Sequence, residues 1–147
     1  MDMFTKEGYR TYQFKLVYKM DLPLFVMTGN KKFILNLNHY RNAHYRTLSA
    51  AKKAYAAEVT ERLGGNYPKF ECGVYWLHYT LYPRTAAVGD VQNALSIIDK
   101  FTADALVENG MFSDDNYKII KGATYGFGEI NKSNPRAELR VCELLDW

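Results

Sequence analysis

The chain is short of the residues that mark several protein classes: its 147 positions hold two cysteines, three histidines and four prolines. Cys72 and Cys142 form no CxxC pair and share no ligand spacing with His39, His44 or His78. Both lie in strand-like segments and read as reduced, structural thiols, so zinc is not expected. No apolar run approaches the roughly 18 residues of a membrane span, and the opening MDMFTKEGYR has no signal-peptide core. The expectation is a cytoplasmic protein with no membrane partner. There is no repeat, low-complexity tract or linker, so residues 1–147 read as a single domain, long enough to bury about two-thirds of its unfolded surface. Excess charge is also scarce. A net +3 permits nucleic-acid binding without demanding it.

Apolar residues make up 48% of the chain, and 12 are tyrosines. Residues 11–19 (TYQFKLVYK) alternate, with Tyr12, Phe14, Leu16 and Tyr18 against Gln13, Lys15 and Lys19; only Val17 breaks the pattern, and a first strand is expected. Residues 32–37 suggest a second. An Asn-, Tyr- and Arg-rich loop then enters a helix at about 48–63, whose stripe is Leu48, Ala51, Tyr55, Val59 and Leu63 and whose stop is Gly64-Gly65. Lys52 and Lys53 lie off that stripe and read as a solvated face, with phosphate contact the alternative. Residues 71–82 (ECGVYWLHYTLY) are apolar on both faces in places, which suits a central strand covered by helices, with Trp76 and Tyr79 in the core. Two further strands are expected at 117–125 and 136–144, the latter with Ala137, Leu139, Val141 and Leu144 opposed to Glu138, Arg140 and Glu143. The expected fold is α/β (α+β): a mixed sheet with two main helices in the order β(β)-α-β-α-β-β.

The stretch 89–117 carries acids at both ends of a helix-period segment. Ala94, Leu95, Ile98, Phe101, Ala105 and Leu106 share one face, and Asn93, Lys100 and Asp104 the other. Either Asp90 caps a helix beginning at Val91, or Ser96 with Asp99 forms a capping box that leaves 90–95 as a loop. Gly110 is a natural stop. A strand that starts near Asp115 and returns beside the helix start would gather Asp90 and Asp115 into one site.

These residues resemble the RusA family of Holliday-junction resolvases. The shared features are an acid before a helix, an Asn three residues on, a mid-helix Lys, an Asp-Ala-Leu, a Gly four residues later and then Asp-Asp. The resemblance implies a RusA-like domain that resolves junctions in DNA recombination and repair. It places Asp90 at the first family acid, Asn93 at the Asn, Lys100 at the catalytic lysine and Asp115 at the third metal-binding acid. The second family acid falls on Gln92, and the Asn-to-Lys spacing is about one helical turn longer than in short members, so Asp99, Asp104 or Asp114 is a candidate substitute. The implied catalytic set is Asp90, Lys100 and Asp115, and the implied Mg²⁺ (or Mn²⁺) ligands are Asp90, Asp115 and Asp114.

RusA-like proteins also place a basic, Asn-containing loop between first strand and first helix. Asn36, Asn38, His39, Arg41 and Arg46 are therefore expected to touch branched DNA, as are Arg84, in the 83–89 loop, and Asn93. Two symmetric cuts imply a homodimer, with the exposed aromatics near the N-terminus and the second strand as its expected surface. Other readings remain open: a binding module whose metal site has decayed, or an enzyme acting on flaps or forks.

Overall fold

The computed structural model describes residues 13–87 and 90–145. Tyr12, the first residue of the expected apolar alternation, lies outside them, as do the N-terminal aromatics and the end of the loop delivering Asp90. The elements run β1 (Phe14–Leu22), β2 (Phe25–Thr28), β3 (Lys31–Ile34), α1 (Leu37–Asn42), α2 (Tyr45–Leu63), β4 (Tyr75–Tyr82), α3 (Val91–Glu108), β5 (Ile120–Phe127) and β6 (Arg136–Leu144). The α+β class, the mixed sheet and the two main helices are as expected. The second expected strand is one arm of a hairpin, β2–β3, which forms a separate small sheet, and the Asn-rich loop contains the short helix α1.

The main sheet has the order β1-β6-β4-β5. β6 pairs antiparallel with both β1 and β4, whereas β4 and β5 are parallel and joined through α3. Parallel neighbours need such a crossover, because a tight turn cannot reverse the chain twice. Gly64 and Gly110, both at positive φ, follow α2 and α3 where the sequence places the stops.

The helices cover one face of the sheet. Ala51, Tyr55, Val59 and Leu63 of α2 and Leu95, Ile98, Phe101, Ala105 and Leu106 of α3 pack with Tyr75, Leu77, Tyr79 and Leu81 of β4 in one buried cluster. Inside it the Tyr55 hydroxyl bonds the Thr102 hydroxyl at 2.5 Å. β4 is the expected interior strand, and the helices cover one of its faces. Alternate β4 residues point the other way, and Trp76 packs with Phe14, Val74, Cys142 and Leu144 in a second cluster, its indole N–H donating to Thr124 Oγ1 at 3.2 Å. Cys72 is also not in a strand but exposed, while Cys142 is buried in β6.

Two further departures have local causes. The β1 alternation does not stay on one face, because the register with β6 shifts between Leu16 and Tyr18. That bulge at Val17 turns Met20 and Leu22 towards the main core, while Phe14 faces the second cluster. Glu138, expected on a polar outer face, is buried. It gathers three cations: Arg136 at 3.0 Å, Lys19 at 3.3 Å and Arg140 at 3.4 Å. Burial pushes its carboxyl pKa up, but the hydrogen bond from Arg136 and the charges of Lys19 and Arg140 outweigh it and hold the group below the ordinary 4.5.

A depressed folded pKa means that the unfolded chain binds more protons in this window, so Glu138 stabilises the fold fully above about pH 4.5 and loses that contribution as pH falls through the folded value. Glu138→Gln should cost about 1–3 kcal/mol at pH 7 by leaving three cations underpaired on a partly solvated face. Urea unfolding at pH 7 and pH 3 tests this. An equal loss at both pH values would show that the charge is not the cause.

Candidate active site

Helix α3 begins at Val91, and Asp90 is its cap, with Oδ1 accepting from Gln92 N–H at 2.9 Å. The alternative start at Ser96 is not used; that hydroxyl donates back to the Gln92 carbonyl at 2.5 Å. In a β4–α3–β5 crossover the helix runs antiparallel to both strands. The chain entering β5 therefore meets the middle and later turns of α3, not its start.

Asp115 accordingly joins Ser96, Asp99, Lys100 and Asp104 around a cleft of about 380 Å³, closed on the sheet side by Leu77, Ile120 and Ala123. Asp90 does not line this cleft. At about 1.5 Å per residue it lies roughly 13 Å from Asp99 along the helix axis. The expected meeting of Asp90 and Asp115 is thus not what the fold produces: a strand following a helix brings its far end, not its beginning, back to the helix start. Asp90 instead lines a separate hollow with Asn36, Asn38 and Asn93.

The acid that does meet Asp115 is Asp99. Half-buried, it accepts a hydrogen bond from the Tyr125 hydroxyl at 2.7 Å on Oδ2. Burial is the main force raising its pKa above the ordinary 3.8; the tyrosine hydroxyls partly offset this, and the negative charge of Asp115 adds to it. The Tyr79 hydroxyl is fully buried and, among the described residues, has no hydrogen-bond partner of standard geometry. Burial first, and then the nearby Asp99 charge, push its pKa well above 10. Burial and Asp99 likewise push the Tyr125 hydroxyl upward. Neither tyrosine stood out from the sequence as a site residue. The available signal was their shared strand-face placement, opposite α3.

Lys100 is exposed, and its ammonium lies 5.7 Å from the centre of the Tyr40 ring on α1. Asp104 stands between the cleft and an adjoining groove of about 420 Å³ that contains Lys52 and Lys53. Asp114 does not line the cleft. Its oxygens accept from Asp115 N–H at 2.7 Å and Asn116 Nδ2 at 2.9 Å, a local turn that holds its pKa below 3.8 chiefly through the Asp115 N–H.

The expected DNA-binding residues separate by role. Asn36 caps α1 by accepting from His39 N–H, and Asn93 Oδ1 accepts from Leu37 N–H at 2.8 Å, tying α1 to α3. His39 packs edge-on against Phe33. Asn38, Arg41 and Arg46 are exposed, with Arg46 Nε donating to the Tyr45 hydroxyl at 3.3 Å. Arg84 lies apart, in a groove of about 650 Å³ beside Phe25, Met27 and Ile34 of the hairpin.

Among the described residues no group of three or more His, Cys, Asp or Glu side chains converges as a metal cage. The cleft offers the hard oxygens of Asp99 and Asp115, whose repulsion a cation would relieve. Such a sparse set fits Mg²⁺, which keeps several waters and takes substrate phosphate oxygens, better than an all-protein Ca²⁺ site. Compared with known proteins, the chain matches no family model and no curated sequence.

Because the folded pKa of Asp99 is raised, the native state binds the extra proton, and stability falls as pH rises from about 3.8 through the folded value. Asp99→Asn keeps an acceptor for Tyr125 and removes the repulsion. Thermal unfolding at pH 7 should therefore show a midpoint equal to or above wild type, with a flatter pH dependence through the acid range. A clearly lower midpoint would mean that the ionised carboxylate stabilises the fold.

Proposed function

We propose that the protein is a Mg²⁺-dependent endonuclease that cuts branched DNA, resolving four-way junctions by paired phosphodiester hydrolysis. The observation that carries this reading is the sharing of one cleft by Asp99, Lys100 and Asp115. It gives the resemblance to the RusA resolvases a site in which Asp99, one of the three candidate substitutes for the acid replaced at Gln92, accompanies Asp115.

In this reading Asp99 and Asp115 hold the cation, which when bound neutralises the phosphate and lowers the pKa of a coordinated water. Tyr125 holds the Asp99 carboxylate through Oδ2. Lys100 stabilises the negative charge that grows on the phosphate oxygens during attack. The exposed cations of α1 and α2, Arg41, Arg46, Lys52 and Lys53, hold neighbouring phosphates. Two symmetric cuts require two copies of the site and hence a homodimer. A second reading, a non-catalytic branched-DNA-binding module, is favoured by Gln92 and by the distance of Asp90 from the cleft.

Nicking of a synthetic four-way junction and a matched linear duplex, with and without Mg²⁺, tests both. Wild type should make paired nicks on the junction only and need Mg²⁺. Asp115→Asn should abolish them, and Lys100→Ala should slow them by about 10²–10³-fold, the scale of one electrostatic stabiliser of the transition state. Junction binding without nicks would select the binding module. Neither binding nor nicks would refute both readings.

A further inference from the structure

A second hollow, of about 290 Å³, lies where the end of the hairpin and the N-terminal halves of α1 and α3 meet. Its apolar lining comes from Leu24, Leu35, Leu81 and Ala94, and its polar groups from Asn36, Asn38, Asp90 and Asn93. The volume is near the lower end for small-molecule pockets, which run from about 300 to 1,000 Å³, so it suits one flat ring system.

The hydrogen bonds within the site fix what it offers. Asn36 Oδ1 accepts from His39 N–H and Asn93 Oδ1 from Leu37 N–H, each at 2.8 Å. These bonds set the orientation of both amides, because a swapped amide would aim NH₂ at a backbone N–H. Their NH₂ groups have no protein partner among the described residues. Asp90 uses Oδ1 for Gln92 N–H, and Oδ2 is without a partner there. The hollow therefore combines oriented amide donors with one carboxylate acceptor beside an apolar surface.

That combination discriminates among ligands. A phosphate is repelled by the Asp90 carboxylate. A metal cation finds only one carboxylate, because the oxygens of Asn36 and Asn93 are already occupied by backbone donors. A planar ring that carries a carbonyl next to N–H groups satisfies both sets. Among nucleobases, guanine presents this edge in full: its O6 accepts from an amide NH₂, and its N1–H and N2–H donate to a carboxylate. The same edge is engaged in a base pair, so the base must be unpaired to reach a recessed pocket.

We propose that this hollow binds an unpaired guanine, reading its Watson–Crick edge through Asp90 and the amides of Asn36 and Asn93. The proposal rests on the reading of the chain as a DNA-binding protein. It gives Asp90 a recognition role, separate from the cleft holding Asp99, Lys100 and Asp115.

Fluorescence anisotropy with the full chain tests it on thymine 11-mers that carry a single central guanine, hypoxanthine, adenine or thymine. Wild type should bind the guanine strand about tenfold or more tighter than the adenine strand, the scale of one bidentate base contact. Hypoxanthine, which lacks the N2 amino group, should fall between them. Asp90→Asn keeps the helix cap, since Asn caps as well as Asp, and should remove most of the guanine preference, read as the ratio of the guanine-strand to the adenine-strand affinity. Equal wild-type affinity for guanine and adenine, or a preference that survives Asp90→Asn, would overturn the pocket while leaving the DNA-binding reading intact. No binding to any strand or to a four-way junction would overturn both.

Discussion

The packing of the apolar face of α3 against β4 and β5 governs the rest of the molecule. Leu95, Ile98, Phe101, Ala105 and Leu106 are buried in the same cluster as Leu77, Tyr79 and Leu81, and at about 1.5–3 kcal/mol for each large apolar side chain this is a dominant share of the folding energy. The same packing fixes direction. A helix linking two parallel strands must run against both, so the residues before β5 return to the middle and later turns of α3. Asp115 is thereby placed beside Asp99 and Lys100, and Asp90 is left at the opposite end. No local preference around either acid could reverse this without breaking the crossover.

Against that rigid background, Asp99 is a local expense of stability. A half-buried carboxyl next to another carboxylate is unfavourable when ionised, as its raised pKa reflects. Among the described residues no cation pairs with it; a tyrosine hydroxyl from β5 bonds it, and a second, buried one from β4 lies close enough to favour its charge. Glu138 has the opposite treatment. It is surrounded by three cations, lies outside the cleft and has a depressed pKa. Two acids in one small protein thus differ in kind: one is surrounded by cations of the chain, and the other meets burial and a neighbouring carboxylate with only tyrosine hydroxyls to favour its charge.

Much of this was legible in the sequence because it depends on period. The stripes of α2 and α3 and the stops at Gly64 and Gly110 follow from spacing and backbone chemistry, and the structure has them; the Asp90 cap was one of two helix starts that the sequence left open, and the β6 alternation is broken by the burial of Glu138. What period cannot carry is relative placement. The bulge at Val17 switches the inward face of β1 without altering its alternation. Trp76 looks as apolar as Tyr79 but points to the opposite face of the sheet. The short helix α1 depends on Asn36 and on Asn93, 56 residues away, so nothing within its own six residues announces it. Asp99 was one of three substitutes for the missing second acid; Asp104 lines the same cleft, and what marks Asp99 is the effect of the Asp115 charge on it and the hydrogen bond from Tyr125.

One helix thereby carries two carboxylates whose surroundings give them different chemistry. Asp99 shares its cleft with another acid and a lysine, and one of its oxygens is held by a phenol; the arrangement favours a hard cation and a phosphate together. Asp90 shares its hollow with amides already oriented by backbone N–H groups, an arrangement poorly matched to either ion and suited to a neutral ring with donors and an acceptor on one edge. The distinction does not come from residue type, since both are aspartates on the same helix. It comes from what the turns beside them deliver: β5 brings Asp115 and Tyr125 to the middle of α3, while α1 brings Asn36 and Asn38 to its start.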